Sequence, residues 1–245
     1  MIPTKRIGVA RAINKAGYCS RSNAEKLVSA GEVTVNGVLV LDPEFPTTTA
    51  DQIYVQGNSL QKKDFVYVML NKPRGLITSA SDEQGRDTIY TCIAGLDYPH
   101  LGPVGRLDKA SEGLLLLTND TEWANHLLDP LHGIVKTYHV QVDGIPPASL
   151  LLQMEAGIQV EGMQLKAEQA SIVRQGDKNA WLEIKLSEGK NREIRRMLES
   201  LGLATLRLIR IALGPLTLGD LPKGASRPLT KQEIERLSFI KTPCI

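Results

Sequence analysis

Arg106 and Asp108 stand two residues apart in Gly105-Arg106-Leu107-Asp108-Lys109-Ala110-Ser111-Glu112-Gly113, directly ahead of Leu114-Leu115-Leu116-Leu117. An ionised carboxylate on a loop can attack an electron-poor carbon or move a proton, and an arginine beside it can hold an anion. Gly105 and Gly113 let the backbone turn sharply or approach a ligand closely. Four leucines in a row leave no alternation and predict a strand buried on both faces. A charged pair at the mouth of such a strand fits a reactive site. Composition alone favours a plain surface loop that happens to carry an Arg and an Asp.

Two further elements carry side chains capable of chemistry. On a strand expected over Val135–Val142, Tyr138 shares a face with Lys136, Val140 and Val142. By itself this reads as a tyrosine filling a core. On a helix expected over Asn191–Leu201, Arg192, Arg195, Arg196 and Glu199 share one face, and Ile194, Leu198 and Leu201 turn to the core. One arginine can then enter a pocket while others reach phosphates. Cys19, Cys92 and Cys244 are too few and too scattered for a disulfide framework, and the four histidines show no ligand spacing, so no metal site is expected.

The elements that must position these residues are mixed in kind. Strand patterns at Phe65–Leu70, Val135–Val142, Trp181–Leu186 and Thr205–Ile211 alternate with helical ones at Thr121–Leu128, Ala148–Ala156 and Asn191–Leu201. This predicts an α+β domain with a mixed or antiparallel sheet over residues 65–240. Ahead of it, residues 5–16 read as a short helix stopped by Gly17. Ser22 and Glu25 read as a capping box opening a second helix that buries Ala24, Leu27 and Val28 and ends at Gly31. Val33–Val35 and Val38–Val40 read as strands joined by Asn36-Gly37, a turn that needs positive φ at both positions. The expected organisation is a small helix-helix-hairpin domain over 1–56, a polar linker over 57–64 and the larger domain beyond.

Charge is distributed unevenly. The chain of 245 residues carries a formal +2. Residues 1–30 hold six basic side chains against Glu25 alone, and residues 185–210 hold seven against three acids. The remainder is net acidic. Two basic zones on an acidic chain suit a phosphate-binding surface. No stretch has the length and apolarity of a membrane span or a signal peptide, so the expected location is the cytoplasm.

The N-terminal stretch, with A-G-Y-C-S-R-S-N-A-E-K-L-V and G-E-V-T-V-N-G in order, resembles the RNA-binding domain named after small-subunit ribosomal protein four. That likeness implies Arg6, Arg11, Ser20, Arg21 and Lys26 as phosphate contacts. Over nearly the whole chain, G-R-L-D-x-x-S-x-G-L-L-L-L-T-N-D resembles the signature of pseudouridine synthases of the RsuA/RluB type, bacterial ribosomal-RNA enzymes. N-K-P-R-G at 71–75, G-R-D-T at 85–88, K-T-Y at 136–138, E-G-K-N-R-E-I-R-R-M at 188–197 and L-I-R-I at 208–211 accompany it. Ser111 stands where that family usually has Thr.

The resemblance implies Asp108 as nucleophile, Tyr138 as the ring that stacks on the target base, Arg195 as the basic partner of the nucleophile and Arg106 as a holder of the extruded nucleotide. Arg192 and Arg196 remain for phosphates. The implied substrate is ribosomal RNA, with the large subunit favoured, or a ribosomal-subunit assembly intermediate. The implied state is a monomer. The product is an isomer of the substrate, so no cofactor is implied. A non-catalytic RNA-binding assembly protein, or a hydrolase built on Asp108, are the alternatives. The first leaves the G-R-L-D loop unexplained, and the second lacks a paired acid.

Overall fold

The computed structural model describes residues 6–61, 64–79 and 85–239; Lys5, Lys62 and Lys63 lie outside that range. The chain gathers into two compact units. The first holds residues 1–67 with 95–102 and 117–122, the second 68–94, 103–116 and 123–245.

The first unit opens with β1 (Ile7–Gly8), α1 (Val9–Lys15) and α2 (Arg21–Ser29). Strands β2 (Val33–Val35), β3 (Val38–Leu39), β4 (Pro46–Thr47), β5 (Ile53–Val55) and β6 (Asn58–Ser59) follow. β1 pairs with β4, and a four-stranded sheet runs β3-β2-β5-β6. Val9, Ala10 and Ile13 of α1 and Ala24 and Val28 of α2 are buried with Val33, Val35 and Val55, which forms the small apolar face expected. Asn36 and Gly37 both take positive φ, 52° and 81°, as the hairpin turn demands.

Three details differ from the sequence reading. The first helix begins at Val9 instead of residue 5, because Ile7–Gly8 is a strand edge. Its first free donors are met by backbone, with Val9 N donating to Phe45 O and Ala10 N to Pro43 O. The chain passes close by at Gly8, where a Cβ would lie 3.0 Å from Pro43 O and 3.1 Å from Glu44 Cα. The second helix is capped by Ser20, whose side chain accepts from Asn23 N at 3.2 Å. Ser22 already lies inside the first turn, and Glu25 instead accepts from Arg21 Nε at 3.0 Å. The stretch read as a linker also begins as structure, since β6 pairs with β5.

The larger sheet uses β7 (Tyr67–Lys72), β8 (Gly102–Val104), β9 (Glu112–Thr118) and, after α3 (Thr121–Leu128), β10 (Lys136–Asp143). Then come α4 (Ala148–Ala156), the hairpin β11 (Ile158–Val160) and β12 (Met163–Leu165), β13 (Gln169–Gln175) and β14 (Asn179–Leu186). α5 (Glu193–Ser200), β15 (Thr205–Leu213), β16 (Leu216–Thr217), β17 (Ser226–Pro228) and α6 (Lys231–Ser238) complete the chain. The strand order is β13-β14-β10-β15-β9-β7-β17, with β16 beside β15 and β8 beside β9. β15 and β9 are parallel, whereas β13/β14, β14/β10, β10/β15 and β7/β17 are antiparallel. The fold is thus α+β with a mixed sheet.

β9 carries the four leucines between β15 and β7, and all seven of its residues are buried. A strand covered on both faces has no solvent side, hence the missing alternation. β14 shows the opposite pattern, buried at every second residue. Among the described residues no helix is long and apolar enough to cross a membrane.

Candidate active site

The loop from Leu107 to Ser111 is held through its backbone. All five of its carbonyls accept a hydrogen bond. Thr78 Oγ1 donates to Leu107 O at 2.7 Å and accepts from Leu107 N. Lys72 Nζ donates to Asp108 O at 3.2 Å and to Ser111 O at 2.9 Å. Gly75 N donates to Lys109 O and Arg195 Nη2 to Ala110 O at 3.1 Å. Ser111 N closes the turn on Asp108 O. None of these bonds uses the Asp108 carboxylate, which is half-buried. A loop fixed by its main chain can present that carboxylate in one direction without spending it.

Lys72 is the centre of this clamp. It ends β7 with no exposed surface and also donates to Pro73 O at 3.1 Å. Burial pushes its pKa down to about 8, against the pull of the negative charge of Asp108. At neutral pH it is a buried cation facing three carbonyls, beside the candidate nucleophile.

Behind the loop, Gly113 lies against Arg210 of β15, its partner in the parallel pairing. A Cβ on Gly113 would meet Arg210 O at 2.3 Å, and its φ is +103°, so only glycine fits. The buried Arg210 side chain donates from Nε to Leu114 O at 2.7 Å. Arg210 also pairs with Tyr138 across β15/β10, where the register shifts between Thr137 and Tyr138. Such an irregularity re-aims a side chain locally. Tyr138 is buried on the face of Val140 and Val142, as expected. On the same strand, Lys136 Nζ donates to Ser187 O at 2.8 Å, so β10 also holds the loop that leads to α5. Burial first, and then Arg210, lower the Lys136 pKa.

α5 begins two residues later than expected. Arg192 takes a left-handed conformation with φ +50°, and the Glu193 carboxylate accepts from Lys190 N at 3.0 Å. Ile194, Met197 and Leu198 face the core, which puts Arg195 and Arg196 on the flank. Arg195 reaches the Asp108 loop, but no ion pair joins it to Asp108 among the described residues. Its grip is on Ala110, and its buried Nε has no acceptor among them. Burial, and then Arg192, lower the Arg195 pKa, while Asp108 opposes them.

Arg196 departs from expectation. Instead of facing solvent it donates to Val160 O at 3.3 Å and to Glu161 at 2.8 Å, which ties the β11–β12 hairpin to α5. Arg106 and Arg192 are exposed. In the first unit, Arg6, Arg11 and Lys26 are exposed, Arg21 is engaged by Glu25 and Glu44, and the Ser20 side chain serves as the helix cap.

Lys72, Thr78, Arg210 and Glu112 escaped the sequence reading. Glu112 is buried and binds Arg207 at 3.1 Å and Lys223. Burial would raise its pKa, but those hydrogen bonds overcome it and hold it low. Lys72 had one visible signal, a lysine ending an apolar strand directly before a proline. A separate cleft of about 410 Å³ in the first unit, lined among others by Lys15, Thr47, Asp51 and Asp120, shares no residue with this loop.

A family profile described as RNA pseudouridylate synthase matches residues 66–200, and one described as S4 domain matches residues 9–53. Ribosomal large subunit pseudouridine synthase B of Bacillus subtilis (strain 168) is 38% identical over 229 residues, 93% of this chain and 93% of that one. An uncharacterized RNA pseudouridine synthase of Aquifex aeolicus (strain VF5) is 37% identical over 239 residues, 94% of this chain and 93% of that one. A crystal structure of a pseudouridylate synthase is similar with a TM-score of 0.66 at 31% identity, covering 94% of this chain and 99% of that one.

Proposed function

The chain belongs to the RNA pseudouridine synthases, with an S4 domain at its N-terminal end, and from that premise we propose that it isomerises one uridine of large-subunit ribosomal RNA with Asp108 as nucleophile. The observation that carries this reading is the loop with five consecutive carbonyls bound and its one carboxylate unspent among the described residues. The large subunit is suggested by the name of the Bacillus relative.

The chemistry follows from these groups. The uridine leaves its stack, at a cost of a few kcal/mol, and lies against the Tyr138 ring. The Asp108 carboxylate traps the electron-poor carbon while the N1–C1′ bond breaks. The uracil turns, C5 bonds to C1′ as the bond from Asp108 to that carbon breaks and frees the carboxylate, N1 takes up a proton, and the C5 proton leaves through a relay in which the Tyr138 oxygen takes part. Lys72 and Arg195 place positive charge on the loop that presents Asp108. Arg106 holds the extruded nucleotide. Arg6, Arg11, Lys26 and Arg192 contact phosphates, and the protein works as a monomer in the cytoplasm.

The test is to map pseudouridines in ribosomal RNA from cells with and without this protein, and then to repeat the conversion with purified protein. One large-subunit position should lose its pseudouridine and regain it with the wild type but not with Asp108→Asn. No missing position, or conversion by pure Asp108→Asn, would overturn the reading.

A further inference from the structure

Between α3 and β10 the chain makes a tight turn, Asp129-Pro130-Leu131-His132-Gly133. It is rigid for its length. The Asp129 side chain accepts from Leu131 N at 2.9 Å, His132 N donates to Asp129 O, and Gly133 N donates to Pro130 O. Pro130 fixes one backbone angle, and Gly133 takes the left-handed one, φ +55°. The His132 ring lies tilted by 44° against that of His126 at 4.0 Å between centroids, with Nδ1 2.8 Å from His126 O.

On this stiff turn Leu131 is 73% exposed, and Leu128, one helical turn earlier, is 47% exposed. Single exposed leucines are ordinary on protein surfaces. This pair differs in its place. A Cβ at Gly105 would come within 3.0 Å of Leu128 Cδ2, so the end of α3 packs on the residue three before Asp108. On its other side the turn runs into the strand of Tyr138. The apolar pair thus adjoins the loop of the nucleophile and leads into the strand of the stacking ring. Arg106 and Lys109 on the same loop are exposed cations, while Asp129, the acid nearest in sequence, spends its carboxylate on the turn. Apolar side chains beside exposed cations fit a polyanion with apolar faces to insert between, which is to say stacked RNA bases.

We propose that Leu131 is a wedge that enters the RNA base stack next to the target uridine and fills the gap left when that base turns out toward Asp108. Leucine serves this way in proteins that unstack nucleic acid bases. The inference rests on the synthase reading above. Leu131 is a positioning residue: it touches the neighbours of the target and not the reacting atoms.

The experiment uses the full-length protein and a fragment of the RNA mapped above. Single-turnover pseudouridine formation and RNA affinity are measured for wild type, Leu131→Ala and Leu131→Met, on the natural fragment and on one with an abasic nucleotide beside the target. Unstacking costs a few kcal/mol and each 1.36 kcal/mol is tenfold in rate. Leu131→Ala should therefore slow the natural fragment by about tenfold or more, with affinity changed by less than about threefold. On the abasic fragment its rate should return to within about threefold of wild type. Leu131→Met should behave like wild type, and 2-aminopurine beside the target should brighten on binding wild type but not Leu131→Ala. Equal rates for wild type and Leu131→Ala would overturn the wedge, as would a loss of the same size on both fragments. A change confined to self-association would assign the patch to a second copy of the chain and likewise overturn it. No conversion by wild type on either fragment would instead overturn the synthase reading on which the wedge rests.

Discussion

Replacing Lys72 by methionine tests the clamp most directly. The substitution keeps the volume and removes a charged donor from Pro73 O, Asp108 O and Ser111 O. Each hydrogen bond from a charged group is worth about 1.5–3 kcal/mol, so the three give roughly 4–9 kcal/mol. Burial of the charge, which lowers the Lys72 pKa to about 8, offsets part of this. The net loss expected for Lys72→Met at pH 7 is a few kcal/mol.

The sign of the pH dependence follows from the same shift. Between about pH 8 and 10.5 the unfolded chain keeps the Lys72 proton and the folded chain has released it. Stability of the wild type therefore gains from this group as pH rises through that window, by roughly 2 kcal/mol at pH 9.5, while the mutant gains nothing. Other titrations are common to both proteins and cancel. Urea unfolding of the pair at pH 7 and pH 9.5 should show a gap that widens by roughly 2 kcal/mol. A constant gap would refute the buried, depressed lysine. A mutant as stable as wild type at pH 7 would refute the carbonyl clamp. Turnover should fall by at least about a hundredfold, because the loop presenting Asp108 loses two of its anchors.

The other expected outcomes concern single contacts. Asp108→Asn should abolish conversion while RNA affinity, measured by filter binding, changes little; appreciable turnover by the pure variant would exclude Asp108 as nucleophile. Arg196→Ala should loosen the β11–β12 hairpin, seen as faster amide exchange at residues 158–165, with a smaller loss of turnover than Arg195→Ala; the reverse order would mean that Arg196 meets the substrate. Gly113→Ala should leave little folded protein, since its methyl would overlap Arg210 O, and a soluble variant with wild-type Tm would contradict the strand pairing drawn here. Ser20→Ala should cost about 0.5–2 kcal/mol in urea unfolding and Ser22→Ala much less; equal losses would put the helix cap elsewhere.

Where one local rule decides the structure, the sequence was readable. Asn36-Gly37 sets its own turn, and the leucine run declares a strand with no solvent face. Tyr138 was placed on its correct face by alternation alone. The helix cap failed because Ser20 and Ser22 are equally good candidates locally, and what selects Ser20 is the path of the chain entering from Cys19, whose carbonyl accepts from Asn14 Nδ2. The clamp was hidden for a different reason. Lys72 binds carbonyls as far as 39 residues away, and a backbone acceptor leaves no mark in a sequence, whereas a side-chain partner would have appeared as a residue type.

The basic zone at 185–210 shows the same limit and changes the picture of RNA attraction. Charge counting treats its seven cations as one phosphate-facing patch. In the structure Arg195, Arg196 and Arg210 bind the carbonyls of Ala110, Val160 and Leu114. Arg207 binds Glu112, Lys190 binds Glu188 and Gln164 O, and Lys185 binds Gln169. The guanidinium fork, with five donors and a permanent charge, suits such internal ties. Arg192 is left as the exposed arginine of the zone. Exposed cations remain elsewhere, Arg6, Arg11, Lys26, Arg106 and Lys109 among them, but phosphate contacts of that kind attract RNA without reading its sequence. A choice among uridines therefore rests on contacts other than those with the backbone. Under the function proposed above, that choice falls to contacts made once the stack is open, at the Asp108 loop and the apolar turn beside it.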